Sequence, residues 1–414
     1  MAGHELVAIE ASRSSAFYAH RQRRAAALKD AIRCIKLIGS LSKRERALSL
    51  WRALKIARPS HIFTIGYSDE LALTSLLFAK VNSVPIFFMS DSKADDQERS
   101  AWSEWIKAGL LRLFDGALVA GARHRSYFRS LGMSRPIEIG YDVIDNTFFR
   151  AQAAKLERRA PFLLRKGILP ERYVICVSRL VSRKRADVAL RIYAASGAPQ
   201  CGVRFVLIGS GPEEAAVSET AKQLGVDNMM CHLRDVPNSI MPIFYRRSEA
   251  LLLASEYDQW GLCVNEAMAL GIPCVVTSRC GVAGEIVEHG KSGFVFSPGS
   301  VETAAGFLRQ LLSEKALRDT MSLAATNTID QWDLLRFSTG VATLVGGVRE
   351  HEREQDGAEI LNRECIWSFK SRGLGPAGRM HRTDADGRSG CDDHGHTVRR
   401  HFLSASGASR RGLE

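Results

Sequence analysis

No apolar run in the 414 residues reaches the length needed to cross a bilayer, and no charged start leads into an apolar segment of signal-peptide type. A membrane-spanning chain is therefore not expected. The nine cysteines, at 34, 176, 201, 231, 263, 274, 280, 365 and 391, include no Cys-x-x-Cys pair. That absence removes the common zinc and dithiol motifs and points to free thiols in a reducing cytoplasm, several of them small core residues in predicted strands. Asp-x-Asp, the usual carrier of a divalent cation beside a phosphate, occurs once, as Asp384-Ala385-Asp386, in a stretch rich in glycine and charge where chance explains it.

What is present is ordinary for a globular chain of two domains: 45% hydrophobic and 25% charged residues, and more length than one core usually supports. The net charge of +12 is compatible with nucleic acid, an anionic membrane surface or a phosphorylated substrate and does not choose among them. A basic stripe runs from Arg21 to Arg58 with apolar residues at roughly helical spacing. It reads as a pair of surface helices, with contact to anionic lipid as the alternative.

Chemistry concentrates between Ser178 and Phe296. Tyr173-Val174-Ile175-Cys176-Val177 reads as a buried parallel strand, and Arg179 and Lys184 follow its carboxyl end. In a doubly wound sheet that edge is where ligands bind, so a guanidinium and an ammonium there suit a phosphate; each alone also fits a solvated loop charge. Further on, Gly261 opens a helical pattern, Leu262 to Leu270, closed by Gly271. The free amides and positive dipole end of its first turn would face an anion, and Glu266, one turn in, can accept from hydroxyls. Asp258 precedes the turn, so two carboxylates could bracket a polyhydroxylated ligand. A loop acid and an exposed helix residue are the plainer readings.

Four segments in this order decide: Ser178-Arg179-Leu180-Val181-Ser182-Arg183-Lys184, Val206 to Glu213 with Gly209 and Gly211, Asn265-Glu266-Ala267-Met268-Ala269-Leu270-Gly271-Ile272-Pro273, and Gly290-Lys291-Ser292-Gly293-Phe294. Together they resemble the retaining glycosyltransferases of family 4, of the "glycosyl transferases group 1" type, with the two-domain GT-B fold. The resemblance implies that Arg179 and Lys184 bind the donor diphosphate, Glu266 the ribose, and amides near Gly261 and Leu262 the phosphate and sugar, with Gly209 and Gly211 in the strand-to-glycine turn on the donor side. Asp258 stands where such enzymes usually carry a Glu touching the donor sugar, a retreat of roughly 1.5 Å. Asp91, in Met89-Ser90-Asp91-Ser92, looks like a family position near the reacting centre, with Arg99 and Lys107 expected on the helix that follows, so Asp258 and Asp91 are the catalytic candidates. An N-cap or turn aspartate is the other reading of Asp91.

The expected fold is α/β, two Rossmann-like doubly wound domains: 1–160 on the acceptor side, 171–330 for the nucleotide sugar, 331–350 a returning helix, and 351–414 a disordered tail. Ala151 to Pro170 reads as the linker. Gly140-Tyr141-Asp142-Val143-Ile144-Asp145-Asn146 resembles the segment that closes the first domain, with a glycine and an acid at the cleft. Gly3-His4-Glu5-Leu6-Val7 resembles text that in these enzymes follows an opening strand, glycine-rich loop and helix, so the first domain is expected to lack that unit. Cys391, His394, His396 and His401 match no usual zinc spacing, and no metal site is assigned.

The expected function is transfer of a sugar from a nucleotide-diphosphate donor to a saccharide or lipid-linked acceptor, retaining and metal-independent, in polysaccharide or glycolipid synthesis. The nucleotide sugar is substrate and no cofactor is expected. Nucleic acid is not expected as a partner, and the location is the cytoplasm, with peripheral contact at the inner membrane face left open. The alternatives are an inactive GT-B protein binding a nucleotide sugar or partner, and a GT-B-like sugar-nucleotide epimerase.

Overall fold

The structure, a computed structural model, describes residues 6–11, 32–37, 42–96, 99–355 and 364–369, all within one compact unit, residues 1–378. The first lobe holds β1 (Leu6–Ala11), β2 (Ile32–Leu37), α1 (Lys43–Ala57), β3 (Pro59–Ile65), α2 (Glu70–Val81), β4 (Ile86–Ser90), α3 (Ala101–Leu111), β5 (Gly116–Val119), α4 (Ala122–Ser130) and β6 (Ile137–Ile139). Then come α5 (Asn146–Glu157), α6 (Ala160–Arg165), β7 (Tyr173–Val177), α7 (Ala186–Ala195), β8 (Arg204–Ile208), α8 (Glu214–Gln223), β9 (Met230–Leu233), α9 (Met241–Arg246) and β10 (Ala250–Leu253). The chain continues through α10 (Leu262–Ala269), β11 (Cys274–Thr277), β12 (Gly293–Phe296), α11 (Val301–Ser313), α12 (Lys315–Asp330), α13 (Leu334–Gln355) and β13 (Glu364–Phe369).

Two parallel sheets result, ordered β2-β1-β13-β3-β4-β5-β6 and β12-β11-β10-β7-β8-β9. Parallel strands need covering on both faces, which is why their sequences are unbroken apolar runs: Ile86 to Ser90 and Ala250 to Leu253 are buried at every position. The crossovers β2→β3, β3→β4, β4→β5 and β5→β6 all move the same way across the first sheet, so right-handed connection lays α1, α2, α3 and α4 on one face. Their apolar sides fill the core with Leu54, Leu76, Leu111 and Phe128 against Ile62, Phe88 and Val119. The opposite face receives α13, whose Val341, Leu344 and Val345 pack on Phe63, Phe87, Met89 and Leu118. Helix starts follow the sequence: Ser42 forms a capping box with Glu45, and Asp69 accepts from the amides of Leu71 and Ala72.

Four expectations are corrected. The linker Ala151–Pro170 is mostly helical, α5 and α6, and Ala153, Leu156, Ala160 and Leu169 are buried in the second lobe's core, because this stretch is periodic in apolar residues as well as polar. Arg33 and Lys36 of the basic stripe lie on strand β2, and Arg46 is buried against Glu70 rather than solvated. Arg99 precedes α3 instead of riding on it. The tail expected without structure from 351 has order in two places, since α13 continues to Gln355 and Glu364–Phe369 is a strand. That strand, with the run Cys365-Ile366-Trp367, pairs in parallel with β1 on one side and β3 on the other. The slot between those strands is thus filled by residues 364–369. The remainder of 351–414, including Asp384, Asp386, Cys391, His394, His396 and His401, lies outside the described residues, as do Gly3 and residues 21–31 of the stripe.

Candidate functional site

The site forms where loops leave the carboxyl ends of β7, β8 and β10. After β7 the chain turns through Ser178 and Arg179, which is half-buried, into a short 3-10 turn at Ser182–Lys184. The β8 loop is strapped to it: Leu180 N donates to Ser210 O at 2.9 Å and Glu213 N to Leu180 O at 3.0 Å. Gly209 and Gly211 allow this approach. A Cβ at Gly209 would stand 1.9 Å from Ser178 O, and one at Gly211 2.2 Å from Leu180 O, both backbone atoms that cannot step aside.

Lys184 then meets Asp258, ammonium to carboxylate, joining the β7 loop to the loop before α10. Both side chains are nearly buried, 12% and 10% exposed, so the pair is one unit: removing either leaves a charge without its partner. Gly261, with φ of +114°, turns the chain into α10, whose first amides have no side-chain cap. Trp260 is buried under the turn, its Nε1 donating to Asn265 Oδ1 at 2.8 Å. Glu266 points its carboxylate at Tyr245, whose hydroxyl donates to Oε2 at 2.6 Å. Burial pushes the Glu266 carboxyl up to about 7, and the tyrosine bond pulls against that rise.

A second loop backs the first. Gly281 N donates to Asp258 O at 3.0 Å, Asp258 N to Arg279 O at 3.3 Å and Val282 N to Trp260 O at 3.2 Å. The first lobe grips both loops. Arg123, in the first turn of α4, donates Nη1 to the carbonyls of Ser278 and Cys280, each at 3.1 Å, its Nη2 pairs with Asp95 at 2.8 Å, and its amide donates to Glu285 at 3.0 Å. His124, fully buried, donates Nε2–H to Gln259 O at 2.9 Å, and burial pushes its imidazole down, which keeps it neutral. Asn265 Nδ2 reaches Asp142 O at 3.1 Å.

Asp91 directly follows β4 and is 5% exposed, on the first-lobe side of these contacts. Beside it Lys93, 1% exposed, pairs with Asp95 at 2.9 Å and Asp96 at 3.1 Å. Burial works against Asp95, yet Lys93 and Arg123 hold its carboxyl below the usual range. Asp145 caps α5 by accepting from Phe148 N at 2.8 Å, and Gly140 faces the Arg336 side chain of α13. Arg99 and Lys107 bond Glu104 in a largely buried network with Tyr127, and Arg99 also donates to the carbonyl of Lys93.

The structure therefore brings Lys184, Asp258, Gly261, Leu262 and Glu266 together, with Arg179, Gly209 and Gly211 on the adjoining straps. Sequence reasoning missed Arg123, His124, Tyr245 and Glu285. Tyr245 is an interior position of a short apolar helix, and the cross-lobe contacts of Arg123 and His124 join residues 135 to 162 positions apart, which no local spacing announces.

Residues 165–328 match the profile of the family described as glycosyl transferases group 1. This segment is a group 1 glycosyl transferase domain. The chain is 26% identical over 198 residues to the N-acetyl-alpha-D-glucosaminyl L-malate synthase of Bacillus anthracis, 47% of this chain and 49% of that protein. It is 27% identical over 202 residues to a GDP-mannose-dependent alpha-(1-6)-phosphatidylinositol monomannoside mannosyltransferase of Mycolicibacterium smegmatis, 47% and 53% of the two. The chain thus spans about half the length of these curated relatives. Among solved structures it resembles Anabaena HepE, crystallised with UDP and glucose, with TM-score 0.64 and 16% identity over 85% of this chain and all of that one. It also resembles sucrose-phosphate synthase of Thermosynechococcus elongatus, with TM-score 0.58 and 15% identity over 80% and 85%. The fold is GT-B, with the group 1 domain as its second lobe.

Proposed function

We propose that the protein is a glycosyltransferase that moves a sugar from a nucleotide-diphosphate donor to a saccharide or lipid-linked acceptor, with retention at the anomeric carbon and without a metal, in polysaccharide or glycolipid assembly. The observation that carries this is the Lys184–Asp258 pair, set between the Arg179 strap and the uncapped amino end of α10. Cleavage of a glycosyl–diphosphate bond leaves its electron pair on the phosphate oxygen. Arg179, Lys184 and the α10 amides supply preorganised positive charge for that leaving group. Lys184 would exchange the carboxylate for the diphosphate as donor enters, freeing Asp258 for the sugar hydroxyls. Glu266 would take the ribose hydroxyls, and Asp91 would face the donor sugar and acceptor from the first lobe. Retention and independence of metal come from the family resemblance.

Asp258 also favours a second reading, a donor-binding protein without turnover, because its carboxylate is shorter than the Glu expected there and is already held by Lys184. A panel of sugar nucleotides, beginning with UDP- and GDP-sugars as suggested by the relatives' names, separates the two. Release of nucleoside diphosphate that EDTA leaves intact, that Arg179→Ala and Lys184→Ala abolish, and that yields product of unchanged anomeric configuration is expected. Saturable donor binding without release would establish the second reading instead. Magnesium-dependent release would contradict metal independence, and an inverted product would contradict retention.

A further inference from the structure

Helix α4 begins at the seam between the lobes without a cap from its own chain start: Gly121, at its N-cap, offers no side chain to the first amides. The second lobe supplies the carboxylate instead. Glu285 Oε1 accepts from the Arg123 amide at 3.0 Å, where the helix dipole favours negative charge. Gly121 leaves the room for it. Its backbone is extended, with φ of −151°, a conformation any residue adopts, but a Cβ there would stand 2.8 Å from the Glu285 carboxyl carbon and 2.9 and 3.0 Å from its oxygens. Space, not backbone freedom, keeps this position small.

The Arg123 side chain is the other half of the grip. Its Nη1 bridges the carbonyls of Ser278 and Cys280 at 3.1 Å each, and its Nη2 pairs with Asp95 at 2.8 Å, a fork that a guanidinium makes and an ammonium cannot. Asp95 is fixed in turn: the buried Lys93 holds its carboxylate at 2.9 Å, and its carbonyl accepts from Arg279 Nη2 at 2.9 Å. The loop held in this way does not move alone. Asp258 N donates to Arg279 O, Gly281 N donates to Asp258 O, and Gly281 lies so close to the preceding residue that a Cβ on it would stand 1.9 Å from Gln259 O. His124, next on the helix, donates to that same Gln259 carbonyl at 2.9 Å. The first turn of α4 is therefore meshed with the backbone on both sides of Asp258.

We infer that Arg123 is a positioning residue of the transfer site: with Glu285 seated over Gly121, it fixes the first lobe on the loop 278–282 and so sets where the Asp258 carboxylate meets a donor sugar. Its three guanidinium contacts end on protein groups, so it acts through that loop and not on the substrate. What the loop is positioned for rests on the transferase reading; the grip does not.

Two variants of the full-length chain break the grip from opposite ends. Arg123→Ala removes the fork, and Gly121→Ala pushes Glu285 off the helix start without straining the backbone. Small-angle scattering is expected to give both a larger radius of gyration than the parent, and hydrogen exchange to quicken at 256–261 and 278–282 while Tyr173–Val177 stays protected. In each, kcat for nucleoside diphosphate release should fall roughly 30-fold as the loop loses its alignment. Affinity for the nucleotide the parent binds should change less than about threefold, because Arg179, Lys184 and α10 are not touched by α4. Arg123→Lys, which keeps a charge facing Asp95 but loses the fork, should fall between parent and Arg123→Ala. Scattering and exchange equal to the parent's in both variants would overturn the inference. So would a kcat unchanged by an opened seam, or a nucleotide affinity that falls in step with kcat, since the contacts would then shape the second lobe by itself. A parent that releases no nucleoside diphosphate would fail the transferase reading alone, because scattering and exchange still decide the grip.

Discussion

In the proposed function Glu266 has two tasks at one carboxyl group. Its location one turn into α10 suits a hydroxyl-bearing ligand, while Tyr245 holds it inward and burial, against the pull of that tyrosine bond, pushes the carboxyl from its ordinary value of 4.5 up to about 7. The folded state thus binds this proton more tightly than the unfolded chain does. Its contribution favours folding fully below about pH 4.5 and is lost as pH rises through about 7. Glu266→Gln, neutral at every pH and still able to meet Tyr245, should remove that decline, so unfolding midpoints measured from acid to neutral pH should fall less steeply than in the parent. Parallel curves would mean that Glu266 titrates normally. The residue itself was legible from its spacing behind Gly261, whereas Tyr245 was not, because an aromatic inside Met241-Pro242-Ile243-Phe244-Tyr245 looks like core and nothing local shows where its hydroxyl goes.

Among elements, the second sheet was readable almost strand by strand, since buried parallel strands declare themselves as short β-branched runs between glycines. The straps at Gly209 and Gly211 were readable as glycines but not as close approaches, which depend on Ser178 and Leu180 some thirty positions earlier. β13 was missed because a six-residue run in a glycine-rich, charged stretch has no periodicity of its own; its meaning comes from the two edges, β1 and β3, that it joins. A strand paired on both sides holds β1 and β2 to the rest of the first lobe. Deleting residues 356–414 should therefore lower the first lobe's unfolding midpoint and raise hydrogen exchange in Leu6–Ala11 and Pro59–Ile65, leaving Tyr173–Val177 protected. Unchanged protection at β3 would show that the lobe closes without β13.

At the scale of the molecule, the two lobes meet through Arg123, His124, Asp95 and Asn265, and each of these contacts ends on a loop that shapes the candidate site rather than on a distant surface. Lobe closure and the placing of Asp258 are in this way one arrangement. Composition and motif order foretold the two-lobed α/β architecture, but this seam comes from side chains that only the folded chain brings together. The central claim is that the second lobe holds a nucleoside diphosphate on Arg179, Lys184 and the amino end of α10. Calorimetric titration of UDP and of GDP into the full chain and into Lys184→Ala tests it most directly. Binding of at least one nucleotide by the parent, weakened about 30-fold in Lys184→Ala as one charge-assisted phosphate bond is lost, is the predicted result. Binding of equal strength in both proteins, or no binding of either nucleotide by the parent, would contradict the account.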